Sequence, residues 1–392
     1  MSLESKWGET MASVKVHIAP NMLEWILQQT QNAKLSDKVA GYLQSWAHGE
    51  KDPTFSQLEQ VSKNTGIPLG YFFLKEPPKE DLSIIEYRTV DSIELEQPSR
   101  NLIDTLYDMK QVQNWMRDMM LADDDTPLNF VGSLKNERSV KEFAVKVRDI
   151  LEIEQNWYEN IRNAEASFKY LREKISAAGV IVMMNGVVRN NTHRVLSIDE
   201  FRAFTLIDAY APLIFINSCD SANGRVFSLL HEFAHICVGE PSLFNAQESA
   251  SHLVSEKETI CNAVAAELLV PQEVFCERWE SRISDDWMRI VEDLAKTFKC
   301  STTVIARRAY DNDFIDLEQY RHVAEKARYF SKKKNSGGGN FYNTAGAKID
   351  HHFLEALADS VKVGKTAPTE AFQLTNTNYA TFTNLVDKVL EG

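Results

Sequence analysis

Two stretches decide the fold of this 392-residue chain: LLHEFAHICVG at residues 229–239 and KETICNAVAAELLVP at residues 257–271. Both are mostly apolar, which predicts two buried helices packed side by side, the second of them ended by Pro271. Three shorter apolar runs precede them, VIVMM, FRAFTLID and APLIFIN, and their lengths and β-branched residues favour strands. We therefore predict an α+β fold that is mostly helical, with a small sheet beside the two helices.

The first helix carries the motif His231-Glu232-Phe233-Ala234-His235. Residues four apart share a helix face, so the two imidazoles can bind one metal ion. Glu232 lies about 100° around the helix from His231, and it can reach a metal-bound water and act as a general base. The simpler alternative is a pair of exposed histidines. The apolar flanks argue against exposure, because they predict that this helix is buried. Burying two histidines and a glutamate without partners would cost several kcal/mol, and a bound metal ion removes that cost. The motif therefore predicts a zinc site.

A catalytic zinc ion usually takes three protein ligands. Glu258 is favoured as the third, because it begins the second helix one turn before Asn262, which can accept a hydrogen bond from a ligand histidine. The alternative role of Glu258 is a favourable interaction with the helix dipole. Cys237 faces away from His235 and fits a buried core position, and Glu267 fits a polar contact on the far side of the second helix. The other candidate ligands are Glu240, Glu248, His252, Glu256 and Glu267.

A peptidase site also needs a general acid or a group that stabilises an oxyanion. Tyr210, before APLIFIN, and Arg225, at the start of the motif helix, are the candidates, although an ordinary structural role fits both. If APLIFIN forms the edge of the sheet next to the metal, an extended substrate peptide could pair with it.

The composition excludes several other classes of protein. The 43 Lys and Arg residues against 56 Asp and Glu give a formal charge of −13, which excludes a uniformly basic nucleic-acid binder. The five cysteines form no Cys-x-x-Cys pair, which argues against a disulfide framework and a cysteine-rich zinc finger. The chain begins without the apolar core of a signal peptide and has no apolar run long enough to span a bilayer. We expect a cytoplasmic protein without a membrane partner.

The chain divides into three predicted units. Residues 1–80 form a small helical module, with Thr54 capping its last predicted helix, and the break KEPPKED is the candidate linker. Residues 81–280 contain the metal motif. Residues 281–392 form a helical region that ends, after a glycine-rich break, in a helical hairpin of about fifty residues.

The two motif helices, together with the approach GVVRNNTHRVLSIDEFRAFTLIDAYAPLIFIN, resemble the ImmA/IrrE family of metallo-endopeptidases. The resemblance implies a zincin-like, gluzincin-type core in which His231, His235 and Glu258 bind zinc and Glu232 is the base. Usual members have glycine where this chain has Ala234. The stretch YLQSWAHGEKDPTFSQLEQVSKNTGIPLGYFFLKEPP resembles an Xre-like helix-turn-helix module, and SGGGNFYNT with the helical tail resembles the C-terminal region of longer members.

The resemblance also implies a regulatory protease that cuts a repressor or similar DNA-binding protein. Such members accompany mobile elements, stress responses and toxin–antitoxin-like gene pairs. The N-terminal module departs from the pattern. The stretch between QQTQNAKLSD and VAGYLQSW is too short for both the second helix and the recognition helix of a helix-turn-helix. The module also has eight lysines, no arginine and nine acidic residues. A protein-docking or substrate-recruiting role therefore fits it better than direct DNA binding. The alternative for the whole chain is a non-catalytic regulator, or an antitoxin-like protein that binds a toxin-like partner through a zincin fold.

Overall fold

A computed structural model describes residues 15–30, 35–78, 98–244, 256–282, 286–331 and 348–390. These residues form fifteen α-helices and one four-stranded sheet. The predicted class, α+β and mostly helical with a small sheet, is therefore confirmed.

The first eight helices in chain order are α1 (Pro20–Thr30), α2 (Asp37–Ala47), α3 (Phe55–Thr65), α4 (Arg100–Ala122), α5 (Val140–Leu151), α6 (Ala164–Ala177), α7 (Ala222–Val238) and α8 (Glu256–Leu269). The other seven are α9 (Gln272–Glu280), α10 (Trp287–Phe298), α11 (Thr302–Asp311), α12 (Leu317–Ser331), α13 (His351–Lys362), α14 (Pro368–Thr375) and α15 (Tyr379–Leu390). The strands are β1 (Ile181–Asn185), β2 (Ala203–Leu206), β3 (Leu213–Asn217) and β4 (Ser242–Phe244).

The sheet has the strand order β1-β3-β2-β4. β1 runs parallel to β3, whereas β2 runs antiparallel to both β3 and β4. β1, β2 and β3 are the three strands predicted from the apolar runs, and β4 was not predicted. Because β3 pairs on both sides, the APLIFIN strand is central, and its predicted role as an edge that receives substrate is wrong.

The sheet separates two hydrophobic cores, because side chains alternate between the faces of a strand. On one face, Val182, Ala203 and Ile214 join the core that surrounds the two motif helices and extends through α12. On the other face, Met183 and Phe215 join the core shared by α4 and the C-terminal helices. A third core lies within residues 18–72. The domain boundaries at residues 80 and 280 remain predictions.

The N-terminal module is a short helical unit, and its last helix begins as the sequence predicts. Thr54 accepts a hydrogen bond from the Gln57 amide, and the Gln57 side chain accepts one from the Thr54 amide, which is a capping box. Between α1 and the turn after Ala47, the described residues form one helix, α2. The module meets the rest of the chain where the Asn191 side chain donates to the Lys63 carbonyl at 3.2 Å.

Residues 348–390, which follow the glycine-rich break, contain three helices, α13, α14 and α15, so the predicted helical hairpin is wrong. α13 is followed by Gly364 in the left-handed region, and α14 begins at Pro368. Asn376, also left-handed, ends α14 after eight residues. An eight-residue helix is too short to show a clear helical spacing of apolar residues. The sequence pattern therefore did not distinguish α14 from the helices on either side of it.

No single helix in the described part of the chain has the length and apolar composition needed to cross a membrane. One pair, α8 and α9, passes that test only when taken together, and it is bent by 56° between its two helices. The expected cytoplasmic location remains a prediction.

The end of α7 is held by the loop that joins α4 to α5. The amides of Gly132 and Leu134 donate to the carbonyls of Ile236 and Cys237 at 3.0 and 2.8 Å, which satisfies helix-end acceptors. Gly239 follows the helix with φ +81°, and a Cβ there would lie 2.7 Å from the Cα of Gly132. The two glycines therefore allow the loop to press against the end of the motif helix.

We expect Gly239→Ala to destabilise the protein by about 3 kcal/mol. A left-handed alanine costs about 1–2 kcal/mol, and the backbone overlap with Gly132 adds to it. Gly364→Ala is the matched control, because Gly364 has a similar φ of +76° but no atom near its added Cβ. The measurement is the thermal midpoint of both variants against wild type. Equal losses in the two variants would contradict the close approach.

Candidate metal centre

Three ligand groups converge between the two motif helices. The Nε2 atoms of His231 and His235 lie 3.1 Å apart. One carboxylate oxygen of Glu258, in the first turn of α8, lies 3.4 Å from the His231 Nε2, and the other lies 3.1 Å from the His235 Nε2. Among the described residues these side chains are the one group of histidine, cysteine and carboxylate donors found close enough together to hold a metal ion.

The chemistry of the donor set fits a cation. His231 and His235 are buried, and two neutral imidazoles cannot point lone pairs at each other from 3.1 Å without a proton or a metal ion between them. Within the described part of the chain, neither histidine Nδ1 has a hydrogen-bond partner of ordinary geometry. Two nitrogens and a carboxylate are also a ligand set that zinc accepts.

The pKa values of His231 and Glu258 favour the protonation states in which these side chains bind metal. Burial, with His235 nearby, lowers the pKa of His231 to about 3. For Glu258, burial opposes ionisation, but the two histidines prevail and lower its pKa to about 2. At neutral pH His231 is therefore an unprotonated imidazole and Glu258 a carboxylate, the forms that bind metal.

His235 differs from its neighbour. Burial alone would lower its pKa, but Cys261 and Glu258 outweigh burial and raise the pKa well above the ordinary value. Without metal, His235 therefore carries a proton at neutral pH and lies next to the Glu258 carboxylate. Metal binding must displace that proton.

Glu232 is completely buried, and its carboxylate is hydrogen-bonded to the sheet. Its carboxylate accepts a hydrogen bond from the Thr205 hydroxyl on β2 at 2.5 Å and a longer one from Ser242 on β4 at 3.5 Å. Burial raises the pKa of Glu232 to about 7, although His235 and Thr205 lower it. A carboxylate with a pKa near neutrality is suited to accept and return a proton.

Asn262 and Cys261 lie beside the donors on the same face of α8 as Glu258. The Asn262 side chain interacts with His231 and raises the pKa of the imidazole. Asn262 therefore lies beside His231, the neighbour that the sequence predicts. The His231 Nδ1 itself makes no hydrogen bond of ordinary geometry with a described residue. Cys261 was missed, and its spacing three residues after Glu258 is the signal that could have identified it.

The structure places Arg225 and Tyr210 in other contacts. The Arg225 guanidinium pairs with Glu165 of α6 at 2.6 Å and lies over the Phe168 ring. The Tyr210 amide donates to the Asp208 carboxylate at 2.9 Å. Neither is among the groups that converge at the centre, and their catalytic roles remain predictions.

Most other candidates for the third ligand have different partners. Glu240 pairs with Lys257, Glu256 with Arg138 at 3.1 Å, and Glu267 with Arg308 at 2.7 Å. The remaining two candidates, Glu248 and His252, lie outside the described residues. Cys237 is fully buried in the core around the motif helices, as predicted.

Sequence reasoning also missed the contribution of the sheet. Thr205 and Ser242 hold the Glu232 carboxylate, and the ring of Phe244 lies 4.3 Å from that of His231. Thr205 is the polar residue within the buried strand AFTL. A polar side chain in an otherwise apolar buried strand is the pattern from which its contact with Glu232 could have been suspected. β4 has only three residues and carried no usable pattern.

Comparisons with known proteins support the resemblance over part of the chain. Residues 185–310 match the Peptidase_M78 family model, described as the IrrE N-terminal-like domain. The match covers about a third of the chain and includes β2 to β4, α7 and α8, so it indicates a metallopeptidase domain around this centre. Residues 349–388 match a domain of unknown function, DUF8813. No curated protein and no solved structure matches the chain.

Zinc affinity should fall as the pH is lowered. The raised pKa of His235 means that one proton competes with the metal, whereas His231 and Glu258 titrate far below neutrality. We expect the apparent Kd for zinc to rise about tenfold for each pH unit below the pKa of His235. Competition with a zinc indicator, calibrated at each pH without protein, measures it. An apparent Kd that stays constant between about pH 8 and pH 6 would contradict the assignment of His235.

Proposed function

We propose that this protein is a zinc-dependent endopeptidase that cleaves a specific regulatory protein and thereby controls transcription or a mobile-element or stress response. The observation that carries the proposal is the convergence of His231, His235 and Glu258 beside a separately held Glu232. The match to the IrrE N-terminal-like domain supports the same reaction class.

Each residue has a distinct part in the proposed hydrolysis. His231, His235 and Glu258 would hold the metal. When bound, zinc supplies Lewis acidity, which polarises the scissile carbonyl and makes water more acidic. Glu232 accepts the proton of the attacking water and returns it to the leaving amine. Thr205 fixes the carboxylate of Glu232 through its short hydrogen bond, so that the base is oriented before substrate arrives.

The sheet offers a place for an extended substrate. β4 pairs with β2 on one side and is an edge of the described sheet, and its Phe244 contacts His231. A peptide that adds a strand along β4 would gain backbone hydrogen bonds next to the metal ligands. In this proposal β4 replaces the central β3 as the strand that receives the substrate.

The N-terminal module supports recruitment of a protein. Phe55 and Phe73 are 45% and 51% exposed, and their ring centroids lie 6.5 Å apart. Leu74, 39% exposed, follows Phe73 in the chain. Exposed apolar side chains that lie together are typical of protein-binding surfaces, whereas DNA contacts depend on basic ones. We propose that the module docks a repressor-like or toxin-like protein.

One observation favours a second candidate, a non-catalytic regulator with a structural metal. His231 and Glu232 are completely buried, and of the three donor side chains only that of Glu258, at 22%, has appreciable exposure. A structural zinc site is closed to water, whereas a catalytic site needs an open position. The protein would then act by binding its partner.

Glu232→Gln should keep the metal and abolish cleavage. The variant preserves size and a hydrogen-bonding side chain but removes the base, which should lower the rate by at least about a hundredfold. The measurement is the set of new protein N-termini in host cells that express wild type or variant. Glu277→Gln is the control, because Glu277 is exposed on α9, away from the centre.

The endopeptidase proposal expects N-termini that wild type and Glu277→Gln produce and that Glu232→Gln does not. Identical patterns for all three, with equal zinc contents, would refute the assignment of Glu232 and favour the non-catalytic regulator.

A further inference from the structure

A cleft lies at the opposite edge of the sheet from β4, on the face away from the motif helices. It forms where β1 and the turn after it meet α4 and the C-terminal helices, and its volume, including the part open to solvent, is about 630 Å³. None of the converging metal donors lines it, so its chemistry is separate from the proposed hydrolysis.

The cleft contains a cation, Lys348, for which the described part of the chain provides no carboxylate partner. The ammonium of Lys348 is partly buried and donates to the Asn190 amide oxygen at 3.1 Å, but it forms no ion pair with any described residue. Asp108 also lines the cleft, yet Arg189 occupies both of its oxygens at 2.6 to 3.0 Å. A positive charge therefore remains available in a partly desolvated place, where an anion interacts more strongly than in water.

The outer edge of β1 also presents backbone groups to this cleft. The Val182 amide donates to Asp350 at 3.2 Å, and its carbonyl accepts from Arg172 at 2.7 Å, so both groups point away from β3. Alternate residues of a strand in a parallel ladder point the same way, so the amide and carbonyl of Met184 also face outward. Met184 lines the cleft, where it offers one donor and one acceptor.

Three residues around the cleft have unusual backbone conformations. Arg189, Asn190 and Asn376 have φ values of +47°, +62° and +52°. The Asn190 side chain donates to the Asn376 carbonyl at 2.8 Å and so ties the turn after β1 to the end of α14. Left-handed non-glycine residues are held by their surroundings and concentrate at ligand-binding sites.

We propose that this cleft binds a small organic anion, a phosphate or carboxylate group carried on an apolar body. The anionic group lies at Lys348, and the body lies against Met109, Met183 and Phe215. The ligand contacts α4, β1 and the C-terminal helices at once, and so joins the region that matches DUF8813 to the sheet.

The test is calorimetric titration of the full-length, zinc-loaded protein with octyl phosphate and with octanoate, which carry the two head groups on similar apolar bodies. Binding of either compound supports the proposal, and the compound that binds more tightly shows whether the cleft prefers a phosphate or a carboxylate group. Lys348→Met should lower the affinity at least about tenfold, whereas Lys348→Arg should keep it within about threefold because the charge remains. Lys362→Met is the control, because Lys362 is exposed and does not line the cleft.

Anions also bind zinc, so the site needs a local readout. In protein labelled at the methionine methyl groups, the NMR signals of Met109 and Met183 should shift during the titration, and that of Met22 in the N-terminal core should not. Melting curves establish that each variant is folded. Failure of both compounds to bind at millimolar concentration, equal affinity in Lys348→Met, or unmoved signals from Met109 and Met183 would each overturn the proposal. None of these results depends on proteolysis.

Discussion

The structure depends on the placement of two imidazoles and two carboxylates within an apolar core. Such groups are costly to bury unless each finds a partner, and here they meet because α7 and α8 pack side by side. His231, His235 and Glu258 face one another, while Thr205 draws Glu232 to the sheet. Removing one member would leave the others as uncompensated polar groups.

The same sheet supports two different environments. One face meets the motif helices, and its β2 and β4 edge supplies the hydroxyl groups that hold Glu232. The other face meets α4 and the C-terminal helices, and its β1 edge opens into the cleft at Lys348. Because β3 pairs with both β1 and β2, the two sites are connected through one continuous hydrogen-bonded layer. A ligand in the cleft would therefore touch the scaffold on which the proposed base is held.

Local spacing predicted much of the centre. The four-residue separation of His231 and His235 on a helix put both on one face, and the position of Glu258 one turn before Asn262 indicated how the second helix would approach. The contributions of Thr205 and Ser242 could not be predicted in this way, because sheet register brings them to Glu232. Arg225 shows the same limit, since its partner Glu165 comes from another helix. Likewise, β3 reads as a strand from its residues, but its central position depends on β1 and β4.

The most direct test of the account is the zinc content of the purified protein, measured by elemental mass spectrometry for wild type, Glu258→Ala and Glu256→Ala. Glu256 lies two residues from Glu258 on the same helix, but it pairs with Arg138 and does not join the three donors. The account predicts one zinc ion per chain in wild type and in Glu256→Ala, and a sharp loss in Glu258→Ala. Absence of zinc from wild type after metal-replete expression, or full zinc in Glu258→Ala, would contradict it.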